Sequence, residues 1–174
     1  MGKNYYVNKK GFYFQLITTV VLFFSGNISY CQQVEIIKSD ELFQLVGQCS
    51  DKNTLHIYNF WATWCAPCIR ELPQFEAINQ SYGNVDVTLI SIYDVDLLNK
   101  KVKPFIDKKK IKSKVVLLDE TDFNEIIPKI SQQWSGAIPA SLIVDCRTGK
   151  HTFYEQEFKE GDLENTINKI LNQP

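Results

Sequence analysis

Glycine and proline are sparse in this chain, with 8 and 6 among 174 residues, which excludes collagen-like and low-complexity classes. A basic excess is also missing. Lys and Arg total 19 against 20 Asp and Glu, a formal net charge of −1, so no nucleic-acid partner is expected. Five Cys are too few for a disulfide scaffold, and their positions matter more than their number. No internal repeat is visible. What is present is ordinary globular material: 44% hydrophobic, 13% aromatic and 22% charged residues, enough for one domain and too little for two.

The N-terminus reads as a targeting segment. Lys3, Lys9 and Lys10 are the only charges before Glu35, and an apolar run from Phe12 to Phe24 follows them, broken by Gln15, Thr18 and Thr19. The small and polar residues Ser25, Gly26, Asn27 and Ser29 come next, and then Cys31. This order suits a signal-peptide core better than a full membrane span. Three fates are open: cleavage and release, retention as an anchor, or lipidation of Cys31. Ile28-Ser29-Tyr30-Cys31 resembles a bacterial lipoprotein box, from which Tyr30 departs. Residues 1–31 are thus set apart as signal peptide or anchor, and residues 32–174 as the folded domain. All three fates place the domain outside the cytoplasm, periplasmic or membrane-anchored, where disulfides persist.

Within the domain, strands alternate with helices. Residues 32–38 suit a linker or edge strand, and a helix runs from Ser39, with Ser39 or Asp40 as its N-cap, to a stop at Gly47. Leu55–Trp61, Val85–Ile92, Lys114–Leu118 and Ala140–Asp145 have strand composition. Helices are expected from Cys65 to Gln80, over 95–110, over Asp122–Gln133 and over Leu163–Leu171, with a closing hairpin through Thr148-Gly149. This pattern predicts an α/β fold with a central mixed sheet and helices on both faces.

The chemistry is carried by Trp64-Cys65-Ala66-Pro67-Cys68, which follows a strand and opens a helix. A helix N-terminus stabilises a thiolate through its free N–H groups and dipole, and two intervening residues let the second sulfur close a small ring. Pro67 fits the first helical turn, where a missing N–H costs nothing. Cys65 is expected to be exposed and to attack, Cys68 to be more buried and to resolve the mixed disulfide. Zinc would need two more ligands in matching spacing, which His56, His151, Cys49 and Cys146 do not supply. A c-type haem site needs His at position 69, which is Ile. No metal and no cofactor beyond the Cys65–Cys68 pair is expected.

Asn59 to Cys68, with Glu71-Leu72-Pro73 after it, resembles the thioredoxin superfamily, and most of all its exported TlpA/ResA-like branch. Ile138-Pro139-Ala140 is similar to the family's cis-proline loop, and Val115–Gln133 to the extra strand and helix of this branch. The resemblance covers residues 35–174. It implies a thioredoxin-like fold with a strand–helix insertion before the cis-Pro loop, and dithiol–disulfide exchange with protein substrates. It also implies a cis Pro139 with the Ile138 backbone pairing to bound peptide, Trp64, Ala66 and Pro67 beside that peptide, and Glu71 tuning the Cys pair. Apocytochrome c is the family's best-known substrate, and a membrane-embedded electron donor would restore the dithiol. A monomer is expected. The direction, reductase against oxidase or isomerase, stays open, as does a non-catalytic binding role. Asn59 stands where thioredoxin has a buried Asp, and Ile69 where the family often has Arg or Lys.

In the thioredoxin-like arrangement, Cys49 and Cys146 both fall at the end of the sheet away from Cys65, where a second disulfide or two separate buried thiols are the alternatives. The run Lys100, Lys101, Lys103, Lys108, Lys109, Lys110, Lys112 and Lys114, relieved only by Asp107, is read as a solvated helix face, with an anionic lipid or acidic partner as the alternative.

Overall fold

The strand Leu55–Trp61 (β2) is apolar at nearly every position and buried along its length, because helices cover both of its faces. In the computed structural model, which describes residues 1–2 and 33–173, it sits near the middle of a six-stranded sheet. The other strands are Glu35–Ile37 (β1), Val85–Ile92 (β3), Lys114–Leu118 (β4), Ala140–Asp145 (β5) and Lys150–Tyr154 (β6), in the order β1-β4-β3-β2-β5-β6. The β1–β4, β4–β3 and β3–β2 pairs are parallel, whereas β5 is antiparallel to β2 and to β6. This is the mixed sheet with a strand–helix insertion that the resemblance implies. The N-terminal segment read above as signal peptide or anchor, with Cys31, lies outside the described residues. No helix among the described residues is long and apolar enough to cross a membrane.

The helices are Ser39–Gly47 (α1), Ala66–Ser81 (α2), Lys103–Lys109 (α3), Ile126–Ile130 (α4) and Asp162–Leu171 (α5). One core layer joins Ile57, Trp61, Leu72, Phe75, Leu89, Val102, Ile106, Phe158 and Leu163 on the α2, α3 and α5 side. The opposite layer joins Leu42, Tyr58, Phe60, Ile90, Leu118, Ile126 and Trp134 on the α1 and α4 side. Each fully buried large side chain contributes about 1.5–3 kcal/mol, so the two layers supply most of the driving force.

Three local readings are corrected. The first helix is capped at Lys38, whose N–H donates to the Glu41 carboxylate at 2.8 Å, rather than at Ser39 or Asp40. The expected helix over 95–110 is a 3-10 turn (Val95–Leu97), a π turn (Leu98–Val102) and then α3. The expected helix over 122–133 shrinks to α4. Asp122 closes a turn onto the Asn124 N–H at 2.9 Å, and Pro128 has no N–H to continue a ladder.

At the far end of the sheet, Cys146 directly follows β5 and Cys49 follows α1. A disulfide joins them with a Cα–Cα distance of 5.4 Å across 97 residues of sequence. Arg147, ion-paired with Asp145 at 2.8 Å, donates to the Ile170 and Leu171 carbonyls and so caps the C-terminal end of α5. A cross-link closing a loop of about 100 residues removes up to about 4.7 kcal/mol of unfolded-state entropy. The C49S/C146S double variant is therefore expected to lose about 3–5 kcal/mol of unfolding free energy, read by chemical denaturation of the oxidised proteins. A midpoint unchanged from wild type would show that the bond contributes nothing.

Candidate active site

Strand β2 ends at Trp61, and the chain turns through Ala62–Trp64 before α2 begins. Cys65 is the N-cap of α2, and its Sγ accepts the Cys68 N–H at 3.3 Å. The sulfur thus lies where the free N–H groups and the helix dipole favour negative charge. Cys65 and Cys68 form a disulfide with Cα atoms 5.3 Å apart. Pro67 occupies the first turn, and a second proline, Pro73, lies inside α2.

The Cys pair faces the loop that precedes β5. The Ile138–Pro139 bond is cis, and the Ile138 carbonyl oxygen lies 3.7 Å from the Cys65 sulfur. Both cysteines are enclosed in this oxidised state: Cys65 is 5% exposed and Cys68 0%. The expectation of an exposed Cys65 is corrected accordingly, since the bond to Cys68 and the Ile138 carbonyl cover its sulfur. Trp64, by contrast, is 66% exposed and stands at the rim. Trp61 is fully buried, with its ring 5.3 Å from that of Phe105.

Glu71 follows Cys68 by one helical turn, which puts both on the same face of α2. It is fully buried. Its Oε1 accepts from the Asn59 amide at 2.9 Å, and its Oε2 accepts from the Phe158 N–H at 2.8 Å. Asn59 also donates to the Ser141 hydroxyl at 3.1 Å, which links β2 to β5 behind the site. Burial pushes the Glu71 carboxyl up to about 7, and the two donors counter it only in part. A carboxyl with that value can hold or release a proton near neutrality, one helical turn along α2 from Cys68.

Glu155 is a further site residue, missed in the sequence. Its carboxylate accepts from the Ser135 hydroxyl and N–H and from the Ala137 N–H at 3.0 Å, pinning the segment just before Ile138–Pro139. The Ser135 hydroxyl bond holds this carboxyl below its ordinary value. Trp134 stiffens the same segment by donating Nε1–H to the Ala137 carbonyl at 2.8 Å. No sequence signal marks Glu155, because it comes just after β6, 20 residues beyond the Ser135 it holds.

Of the residues singled out in the sequence, Trp64, Cys65, Ala66, Pro67, Cys68 and Glu71 lie along the start of α2, and Ile138 and Pro139 face Cys65. Cys49 and Cys146 lie at the other end of the sheet. His56 is on β2, 3.6 Å from Asp86, and His151 is exposed on β6; neither joins the site.

A mixed sheet with a Cys-x-x-Cys pair capping a helix opposite a cis-proline loop defines a thioredoxin-fold, TlpA/ResA-like protein. The family model described as Redoxin matches residues 44–168, and the chain belongs to that family. It is 31% identical over 114 residues to the thiol-disulfide oxidoreductase ResA of Bacillus thuringiensis (strain Al Hakam), covering 64% of this chain and 61% of the relative. It is 33% identical over 72 residues to the sporulation thiol-disulfide oxidoreductase A of Bacillus subtilis (strain 168), covering 38% of this chain and 42% of the relative. The matched part thus spans about three fifths or less of these curated relatives. Among solved structures, a thioredoxin-related protein from Neisseria meningitidis serogroup B superposes with a TM-score of 0.58 at 20% identity, over 71% of this chain and 90% of that one. A thiol:disulfide interchange protein of the thioredoxin family from Chlorobium tepidum TLS gives 0.55 at 21% identity, over 70% and 82%. These two likenesses concern the fold.

Two expected outcomes follow from the geometry. With its pKa raised from 4.5 to about 7, Glu71 keeps its proton in the folded state where the unfolded chain has released it. Stability that is full below about pH 4.5 is therefore lost as pH rises through about 7, by roughly 3 kcal/mol. Glu71→Gln should flatten that slope in denaturation curves taken across the window, and an unaltered slope would assign it elsewhere. Glu155→Ala should speed amide hydrogen exchange at Ser135 and Ala137 by at least tenfold; unchanged protection would mean that Trp134 alone holds the loop.

Proposed function

We propose that this protein is an extracytoplasmic thiol-disulfide oxidoreductase that reduces disulfides in protein substrates. The observation that carries the reading is the Cys65 sulfur at the α2 N-terminus, 3.7 Å from the Ile138 carbonyl of the cis-proline loop. The names of the curated relatives and the Lys-then-apolar N-terminal segment support the activity and the location, respectively.

In the dithiol form, the Cys65 thiolate attacks one sulfur of the substrate disulfide. The other substrate sulfur leaves as a thiolate and takes up a proton. Cys68 then gives up its proton, for which the Glu71 carboxylate is the positioned acceptor, and attacks Cys65. The substrate leaves as a dithiol, and the Cys65–Cys68 disulfide holds the two electrons' worth of oxidation. A substrate strand lies along Ile138 and Pro139, beneath Trp64 and against Ala66 and Pro67. A membrane-embedded dithiol donor restores the reduced pair, and apocytochrome c is one protein substrate of fitting chemistry.

Cys68→Ser should accumulate mixed disulfides through Cys65, because the resolving attack is lost. Cys65→Ser should trap at least tenfold less. Insulin reduction should be absent from both variants and present in the wild type. Equal trapping by the two variants would cancel the role assignment, and no insulin reduction by the wild type would remove the reductase reading.

A further inference from the structure

The lysine run that the reaction does not use borders a groove beside the active-site helix. The groove measures about 360 Å³ and lies between α2 and the C-terminal end of α3. Ile69, Leu72, Pro73 and Ala77 of α2 line it together with Lys109 and Lys110. Ile69, which lines its near end, directly follows Cys68 in the sequence of α2, so the groove lies along the helix that carries the Cys pair. Glu76 also borders it, but its two carboxylate oxygens are held by the backbone N–H groups of Lys112 and Ser113, at 2.8 and 3.0 Å.

Charge is strongly divided in this domain. Residues 100–112 carry seven Lys and one Asp, a net of +6. The rest of residues 33–173 holds 9 basic and 19 acidic side chains, a net of −10. Six of the seven lysines are exposed, and none is in an ion pair among the described residues. Helix-end electrostatics accounts for only part of this. Lys108, Lys109 and Lys110 lie at the C-terminus of α3, where cations are favoured. Lys100, Lys101 and Lys103 lie in the first half of the helical run 98–109, where the dipole disfavours them.

Lys110 adds an independent observation. It is the one non-glycine residue with positive φ among the described residues, at +56°, and it terminates α3 in the left-handed conformation. The Ile111 N–H reaches back to the Ile106 carbonyl at 3.1 Å, closing a helix-ending turn in which glycine is the favoured residue at position 110. A lysine here costs about 1 kcal/mol relative to glycine. Its side chain lines the groove, which is what a glycine could not do.

We propose that this groove is a docking site for an acidic segment of the substrate protein: an apolar side chain enters over Ile69, Leu72 and Pro73, and flanking Asp or Glu residues pair with Lys109 and Lys110. The inference rests on the reductase reading above and names the class of substrate that the same site takes. A concave apolar groove on the helix that carries the Cys pair fits a protruding peptide side chain, whereas a bilayer would meet the lysines without filling the groove.

The test uses the full chain in its dithiol form, in single turnover. Three probes are compared: hydroxyethyl disulfide and two peptides carrying the same intramolecular disulfide and the same Leu. One peptide flanks that Leu with Asp and Glu, the other with Asn and Gln. Each turnover moves two electrons from the Cys65–Cys68 dithiol to the probe. At low ionic strength the acidic peptide should react about tenfold faster than the neutral one, and the advantage should vanish in half-molar salt. In K109Q/K110G the ratio of the two rates should fall toward one. The glycine relieves the positive φ at position 110, so this variant folds at least as well as the wild type. The peptide comparison on wild-type protein stands even without the variant.

Equal peptide rates with hydroxyethyl disulfide still reduced would overturn the docking site and leave the reductase reading intact. Reduction of none of the three probes would remove the reductase reading and the docking site with it. Equal peptide rates combined with lysine-dependent binding to vesicles containing phosphatidylserine would assign the patch to a lipid surface instead and so reject the proposal.

Discussion

A carboxyl group sealed from water holds the active-site helix against the sheet. Glu71 belongs to α2, takes one hydrogen bond from Asn59 in β2 and another from the backbone of Phe158, 87 residues further on. A buried carboxyl without partners would cost several kcal/mol, so each of the three segments is held in register by the need to satisfy it. The same enclosure that makes Glu71 a structural tie raises its pKa to about 7, and so gives it a proton to exchange near neutrality. One placement thus sets both the packing of α2 and the proton affinity of the carboxyl.

The antiparallel pairing of β2 with β5 organises the rest. Phe60 is opposite Ala140 and Leu55 is opposite Asp145, so the two strands share both ends. At one end, the residues after β2 carry Cys65 while those before β5 carry the cis Pro139. At the other end, Cys146 leaves β5 and meets Cys49. Two disulfides therefore sit at opposite poles of the same strand pair, one next to the cis-Pro139 loop and the other remote from it.

How much of this could be read from residues alone depended on distance along the chain. The Cys-x-x-Cys turn, the strand before it and Pro139 were legible because their meaning is local or carried by a short motif. The central strands were legible because apolar runs with β-branched and aromatic residues have few other uses. The burial of Glu71 was not, since it depends on Phe158 arriving from the far end of the chain. Glu155 was invisible for the same reason. The helix over 122–133 was over-read because its apolar spacing outweighed Pro128 and the turn-forming Asp122. Lys110 looked like one more lysine in a charged run, and only its backbone conformation sets it apart.

The link between Cys49 and Cys146 also decides how the domain would respond to being pulled. If its two ends are held apart, tension passes along residues 33–49, across the sulfur bridge and out through residues 146–173. The 97 residues of separation between, which include β2, α2 and the whole Cys65 site, lie off that path. About 330 Å of extended chain is thereby withheld from stretching, and the working end of the protein is a slack loop mechanically, however far its flanks are drawn.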